Sequence, residues 1–258
     1  MNPQIKMRLA NKGAGEFRAE GGTLWLYDVI ASDDDEADWF GGISPRQFMD
    51  ALAATSGPVT LRINSPGGSV FGAQAMVAAM RAHGQPITAQ VDSLAASAAS
   101  VIASEAAKLV MAPGAMLMIH RAWGMAIGNE GDMRQTADLL AKIDGQIAAT
   151  YARRSDGDPD AFLAMMAEER WFTAEEAVAA GLADEVLTEN NQRPQARWDL
   201  SAYSKAPLAE VETVKFAEAD IAHVFAVTIE EQHPAPDPMT AVAARTRKLA
   251  ARLAASEI

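Results

Sequence analysis

Between residues 23 and 187 the chain alternates strand-like and helix-like segments, and this alternation constrains the fold more than any other feature. Thr23 to Ile30 (TLWLYDVI) is rich in β-formers and reads as a strand. Ser32 to Gly42 carries five acids and reads as a surface loop. Ser44 followed by Pro45 is an N-cap with proline at the first helical position, so a helix should run to about Ala54, where Gly57-Pro58 breaks it. Val59 to Asn64 is a second strand, Val70 to His83 a helix, Ile87 to Val91 a third strand and Ala96 to Ala107 a third helix. Leu109 to Met111 and Met116 to His120 follow as short strands around Pro113-Gly114. Alternation of this kind implies an α/β fold with parallel pairing and helices packed on the sheet.

A long helix is expected from about Asp132 to Arg154. Its apolar positions Met133, Ala137, Leu140, Ile143, Ile147 and Tyr151 recur at spacings of three and four and make one stripe. That stripe either docks on its own domain or forms a subunit interface. Ala161 to Ala167 and Thr173 to Ala180 read as short helices. The second has Thr173 and Glu176 as a capping box and Gly181 at its end, and Val186-Leu187 closes a last strand. Past Glu189 the chain turns polar. Ala222 to Ile229 reads as a strand, QHPAPDP at 232–238 as a linker, and Thr240 to Ser256 as an Ala-rich helix. The expected division is a flexible leader over 1–22, one domain over 23–189, and an extension over 190–258.

At 258 residues the chain has room for one large domain plus an appendage. Lys plus Arg is 22 against 34 for Asp plus Glu, a net charge of −12. Such a chain repels phosphate backbones, which argues against nucleic-acid binding. The absence of cysteine excludes disulfides, Cys-ligated zinc, iron–sulfur clusters and thiol catalysis, and no metal site is expected. Met1 to Glu20 has no apolar core of a secretory signal. Ser93 to Ser104, the longest small-apolar run, is far shorter than the ~20 residues of a membrane span. These features read as a soluble, cytoplasmic protein.

Three segments share one possible chemistry. In Ile63-Asn64-Ser65-Pro66-Gly67-Gly68 a strand meets two glycines and then a helix, which can turn backbone N–H groups outward to receive an oxyanion. Around Ser97, small residues sit where a strand should enter a helix. Of the four serines there, Ser100 and Ser104 fall inside the helix and bond back to the preceding turn, and Ser93 belongs to the strand side. Ser97 is the best placed of them, with the Ala98 N–H beside it, and close helix packing through small residues is the competing reading. Met116 to His120 ends an apolar strand on a histidine. His83, His223 and His233 are weaker candidates for a base, being in a turn, beyond the domain boundary and in a Pro-rich linker. A neutral imidazole can take a serine proton and return it to a leaving amine. Asp156, Asp158, Asp160, Glu168 and Glu169 are candidates for an orienting acid, and spacing alone does not choose among them.

Taken together, residues from about Thr23 to Leu187 resemble the proteolytic subunit of the Clp protease. INSPGG at 63–68, Ala95-Ala96-Ser97 and Met118-Ile119-His120 match its motifs in order. The resemblance implies Ser97 as nucleophile, His120 as general base, and the N–H groups of Gly68 and Ala98 as oxyanion donors. It places Glu169 where that family has its triad aspartate, with Glu168 and Asp160 as alternatives. Ser93, Ala98, Arg121-Ala122 and Glu169 depart from the family pattern. Trp39 to Ser44, the SLAASAASVIA run, Arg121 to Gly124, and Asp144 to Ile147 with Tyr151-Ala152 look like the head maturation proteases of tailed phages and prophages, in which a scaffold-like extension often follows.

The resemblance further implies the ClpP/crotonase fold of repeated ββα units with a protruding long helix, and a homo-oligomeric ring, single or double heptamer. Its substrates would be proteins, capsid or scaffold proteins among them. A AAA+ unfoldase would be a possible partner. No GxxxxGK[ST] motif occurs, so no cofactor is expected in this chain and any ATP use would belong to that partner. A crotonase-fold acyl-CoA enzyme and a non-catalytic shell subunit are the competing readings. The Ser–Lys signal-peptide peptidases fit less well, given His120 and no membrane segment.

Overall fold

The structure, a computed structural model, describes residues 3–188 and 198–207. In chain order it contains α1 (Pro3–Asn11), β1 (Glu16–Glu20), β2 (Thr23–Tyr27), α2 (Asp34–Phe40), α3 (Pro45–Ala53), β3 (Val59–Ser65), α4 (Val70–Ala82), β4 (Ile87–Ala96) and α5 (Ala98–Ser104). Then come β5 (Lys108–Met111), β6 (Met116–Ile119), α6 (Glu130–Ser155), α7 (Pro159–Ala167), β7 (Arg170–Thr173), α8 (Ala174–Ala179) and β8 (Glu185–Val186). The strands form one sheet in the order β1-β2-β3-β4-β5-β8, with β6 on β4 and β7 on β6. Pairing is parallel except for the β1–β2 hairpin and β6–β7.

The sheet forks at β4. Its first half, Thr88 to Val91, pairs with β5, and its second half, Leu94 to Ala96, pairs with β6. One strand of ordinary β-formers thus continues through the small residues Ala95 and Ala96, five residues past its expected end at Val91. The helix after it starts correspondingly later, at Ala98.

Local signals explain the helices. In α3 the Ser44 side chain accepts from the Gln47 N–H, Gln47 reaches back to the Ser44 N–H, and Pro45 takes the first turn. Phe48 and Leu52, one turn apart, face the core. Truncating a side chain such as Phe48, 1% exposed, to alanine costs about 3–5 kcal/mol. The acidic 32–42 segment contains a helix rather than only a loop. Asp33 caps α2, and Asp34, Asp35 and Glu36 in its first turn complement the helix dipole. With no buried residue, α2 carries no apolar period to betray it in the sequence. Likewise β7 is a four-residue strand beside a capped helix, and its Trp-Phe-Thr run is too short to carry a strand period.

The main core lies between the sheet and α3, α4, α5 and α6, around Leu24, Ile63, Met76, Ile102 and Tyr151. Ile143, Ile147 and Tyr151 of α6 are buried, whereas Met133 and Leu139 toward its start are exposed. The expected stripe therefore docks on its own domain only over its C-terminal half. A second apolar cluster joins Met7, Val29, Leu94, Ala96, Met118 and Tyr203.

Both ends of the expected domain differ from the sequence reading. The leader over 1–22 is not a loose segment where it is described: α1 buries Met7, and β1 pairs with β2. The compact unit runs to Pro207 rather than stopping near 190. Residues 198–207 pack against it through Trp198, Leu200 and Tyr203. The strand expected at 222–229, the 232–238 linker and the helix expected at 240–256 lie outside the described residues, as do His223 and His233.

Candidate active site

Parallel register brings the candidate residues together. Ala96 on β4 lies opposite Met118 on β6, and the Ser97 N–H donates to the Met118 carbonyl at 2.9 Å. Ser97 and His120 are the next side chains off the carboxyl ends of these two neighbouring strands, the edge where open α/β sheets hold their ligands. The Ser97 Oγ lies 2.7 Å from His120 Nε2.

The turn at Ser97 is strained. Its φ is 55° and ψ −124°, a region a β-carbon disfavours by about 1–3 kcal/mol. The cost is met by the contacts that pin the turn. Ser100 Oγ donates to the Ser97 carbonyl at 2.6 Å and meets the Tyr151 hydroxyl at 2.8 Å. Ser100 thus acts as a back-bonding helix residue, as expected. The result aims the Ser97 hydroxyl out of the sheet end instead of into the helix.

The glycine turn faces it. Gly68 has φ 145°, and a β-carbon there would sit 2.1 Å from the Ile30 carbonyl. Ile30 bonds on either side of it, from its N–H to the Gly67 carbonyl and from its carbonyl to the Ser69 N–H, both 2.8 Å. Gly68 and Ala98 both line a pocket with Ser97 and His120. Neither of their N–H groups has a hydrogen-bond partner among the described residues. Val70, Val101, Ile147 and Trp123 give that pocket apolar walls.

Burial pushes the His120 imidazole down to about 4, against an opposing pull from the negative charge of Glu169. The ring is therefore neutral at pH 7, and the tautomer with an unprotonated Nε2 is the one that lets it accept the Ser97 proton. Glu169 is not hydrogen-bonded to it. Oε1 accepts from Trp171 Nε1 at 3.2 Å and from the Lys205 N–H at 2.6 Å, while Oε2 accepts from the Ser204 N–H and Oγ, both at 2.9 Å. These bonds hold the carboxyl below its usual range although burial works the other way. The expected direct hold of Glu169 on the imidazole is thus absent, and the acid acts on His120 through its field. Glu168 and Asp160 are both exposed, as are Asp156 and Asp158, and none of them is hydrogen-bonded to His120.

Two further residues hold positions at the site that the sequence motifs do not assign. Asp144, on the buried side of α6, accepts from the Ala122 N–H at 2.7 Å and so tethers the segment after His120. Tyr203 lies with its ring perpendicular to that of His120, centroids 5.4 Å apart. An aspartate inside an apolar stripe was a readable signal for the first. For the second the signal was Trp198, Leu200 and Tyr203, apolar side chains in an otherwise polar tail. His83 bonds the Gly57 carbonyl at 3.0 Å, away from this site. No group of residues able to hold a metal ion occurs among the described residues.

The frame and the geometry together are those of a serine hydrolase built on an α/β sheet, in which acyl transfer needs a hydroxyl, a base and amide donors in one place. Comparison with known proteins narrows the class. The family model of Clp protease matches residues 47–190. An ATP-dependent Clp protease proteolytic subunit from Leuconostoc citreum is 32% identical over 154 residues, 58% of this chain and 76% of the relative. One from Streptococcus gordonii is 33% identical over 148 residues, 56% and 75% of the two chains. One from Bacteroides thetaiotaomicron is 32% identical over 131 residues, 50% and 60%. The chain belongs to the Clp protease family. It has that family's α/β fold and is a serine endopeptidase of the ClpP type, which sets the acyl-CoA reading aside.

Proposed function

We propose that Ser97 is the nucleophile and His120 the general base of this peptidase, with Gly68 and Ala98 as oxyanion donors and Glu169 as the acid whose charge favours the imidazolium. The observation that carries this reading is the 2.7 Å contact between Ser97 Oγ and His120 Nε2 beside two amides with no partner among the described residues. Ser97 Oγ adds to the peptide carbonyl carbon as its proton passes to His120 Nε2. The carbonyl oxygen takes up the negative charge and is held by the Gly68 and Ala98 N–H groups. Collapse breaks the C–N bond, Nε2 returns the proton to the leaving amine, and an acyl-serine remains. Water, deprotonated by the same imidazole, then releases the acid. The apolar pocket walls favour an apolar side chain before the cleaved bond. No bound cofactor enters this scheme.

The relatives are named as subunits of ATP-dependent proteases, so the setting proposed is a cytoplasmic homo-oligomeric ring fed with protein chains by a AAA+ unfoldase. The exposed start of α6, with Met133 and Leu139, supplies a ring contact. No helix among the described residues is long and apolar enough to cross a membrane. A second setting, phage or prophage capsid maturation, is favoured by the chain beyond the matched region, whose residues 198–207 pack against the body. ATP-dependent degradation of a folded substrate with a host unfoldase supports the first, and unassisted cleavage of a capsid precursor the second. For the chemistry, Ser97→Ala should abolish cleavage of casein and of a fluorogenic peptide, and a fluorophosphonate should label Ser97 alone. Undiminished cleavage by that variant removes the assignment.

A further inference from the structure

Residues 198–207 touch both halves of the catalytic apparatus. At one end Trp198 Nε1 donates to Asn64 Oδ1 at 2.9 Å, on the strand that leads into the glycine turn. Asn11 of α1 pairs both ways with Asp199, accepting from its N–H at 2.8 Å and donating to its carbonyl at 3.0 Å. At the other end Ser204 and Lys205 are bound to the carboxylate of Glu169. Between these anchors Tyr203 is 6% exposed. Its ring stands edge-on to His120 and lies 6.1 Å from Trp171, and its hydroxyl donates to the Pro66 carbonyl, one residue before Gly67.

We propose that Tyr203 is a positioning residue for His120, seated by Glu169 through the main chain of Ser204 and Lys205. This rests on the assignment of Ser97 and His120 above. An imidazole that serves as base needs its plane fixed. A carboxylate does so with one hydrogen bond to the protonated nitrogen, but the acceptor sites of Glu169 are spent on the strap and Trp171. A perpendicular aromatic contact fixes a ring plane by packing instead. Glutamate is one methylene longer than aspartate, which gives it the reach to hold the strap. Tyr203 also shields His120 from water, and its bond to Pro66 ties the base to the turn that carries Gly68. Among the described residues Glu169 is the charged group that acts appreciably on His120.

The test uses full-length variants, a fluorogenic peptide and a pH series. Tyr203→Leu keeps apolar bulk in the cluster but removes the ring. It should lower kcat about tenfold to a hundredfold, the scale of a misplaced catalytic group, with KM changed by less than about twofold. The acid limb of kcat/KM should rise from near 4 toward 6.5, because water reaches the imidazole. Tyr203→Phe keeps the ring and should keep the limb, while loss of the hydroxyl that bonds Pro66 and neighbours the Ser97 side chain should lower kcat by less than Tyr203→Leu does. Glu169→Gln should lower kcat as Tyr203→Leu does, with a smaller rise of the limb because the lost charge itself favoured the imidazolium, and the double variant should be no worse than the worse single one. Should Tyr203→Leu not fold, Asn11→Ala loosens the strap at its far anchor and should move the limb the same way. An unmoved limb with unchanged kcat overturns the proposal. So does a faster enzyme, which would make the strap a brake. Cleavage surviving Ser97→Ala would instead remove the nucleophile assignment, whatever the limb does.

Discussion

Gly67→Ala perturbs the nucleophile turn from outside it, through contacts that can be measured. Gly67 has φ 93°, and a β-carbon there would come 2.6 Å from the Ala96 carbonyl, 2.7 Å from Ser97 Cβ and 3.1 Å from the Ala98 nitrogen. Gly67 cannot retreat, because its carbonyl accepts from the Ile30 N–H at 2.8 Å and its N–H donates to Ser65 Oγ at 3.1 Å. The positive φ alone costs about 1–3 kcal/mol. Relieving the overlap costs about 1–3 kcal/mol more. For a chain of this size each kcal/mol is worth about 2–4 °C, so the melting temperature should fall by about 4–24 °C.

The catalytic loss should exceed what that destabilisation explains, since the variant stays folded at assay temperature. The added methyl group pushes on Ser97 Cβ and on the Ala98 nitrogen at once. Removing or misaiming one oxyanion donor lowers kcat by about a hundredfold to a thousandfold. The assay pairs calorimetry with single-turnover acylation by a fluorogenic peptide, with fluorophosphonate labelling as a count of intact nucleophiles. A variant that melts lower yet acylates at the parent rate would show that the turn yields without moving the donor. The reasoning that couples the Gly67 position to the Ala98 donor would then be refuted.

Other expectations follow from the same contacts. Because burial holds the His120 pKa near 4, wild-type kcat/KM should stay level down to about pH 5, where an ordinary histidine would already be protonated; a limb near 6.5 contradicts this. The sign for stability follows too. The unfolded chain binds the extra proton between pH 6.5 and 4, so this group's contribution is present above 6.5 and is lost as pH falls through that window, which His120→Gln should flatten in denaturant titrations. Tyr151→Phe removes the hydroxyl 2.8 Å from Ser100 Oγ and should cost about 1 kcal/mol, with a kcat loss smaller than that of Gly67→Ala because Ser100 keeps its bond to the Ser97 carbonyl. Asp144→Ala orphans the Ala122 N–H and should cost about 1–3 kcal/mol, raising KM more than it lowers kcat because Ala122 lines the pocket; an unchanged KM would detach that segment from binding.

What was legible in the sequence is what rests on local chemistry. Ser44 with Pro45, Thr173 with Glu176 and the glycines at 67 and 68 each announce a backbone conformation that neighbours in sequence enforce. Ser97 and His120 were readable for a related reason: each ends a strand, and the parallel pairing of those strands puts strand ends side by side. Glu169 shows where local reading stops. Its position beside β7 follows from the capped helix after it, but the partners of its carboxylate, Ser204 and Lys205, lie across a polar stretch that carries no period and no turn signal. A carboxylate in a motif is drawn to whichever donors fold over it, and the nearest here are main-chain N–H groups that every sequence offers equally. The position of an orienting acid can therefore be inferred from the residues around it, while the group it orients depends on which distant segment reaches it first. In this chain that segment brings an aromatic ring to the imidazole, so the acid and the base are joined through residues 198–207 instead of directly.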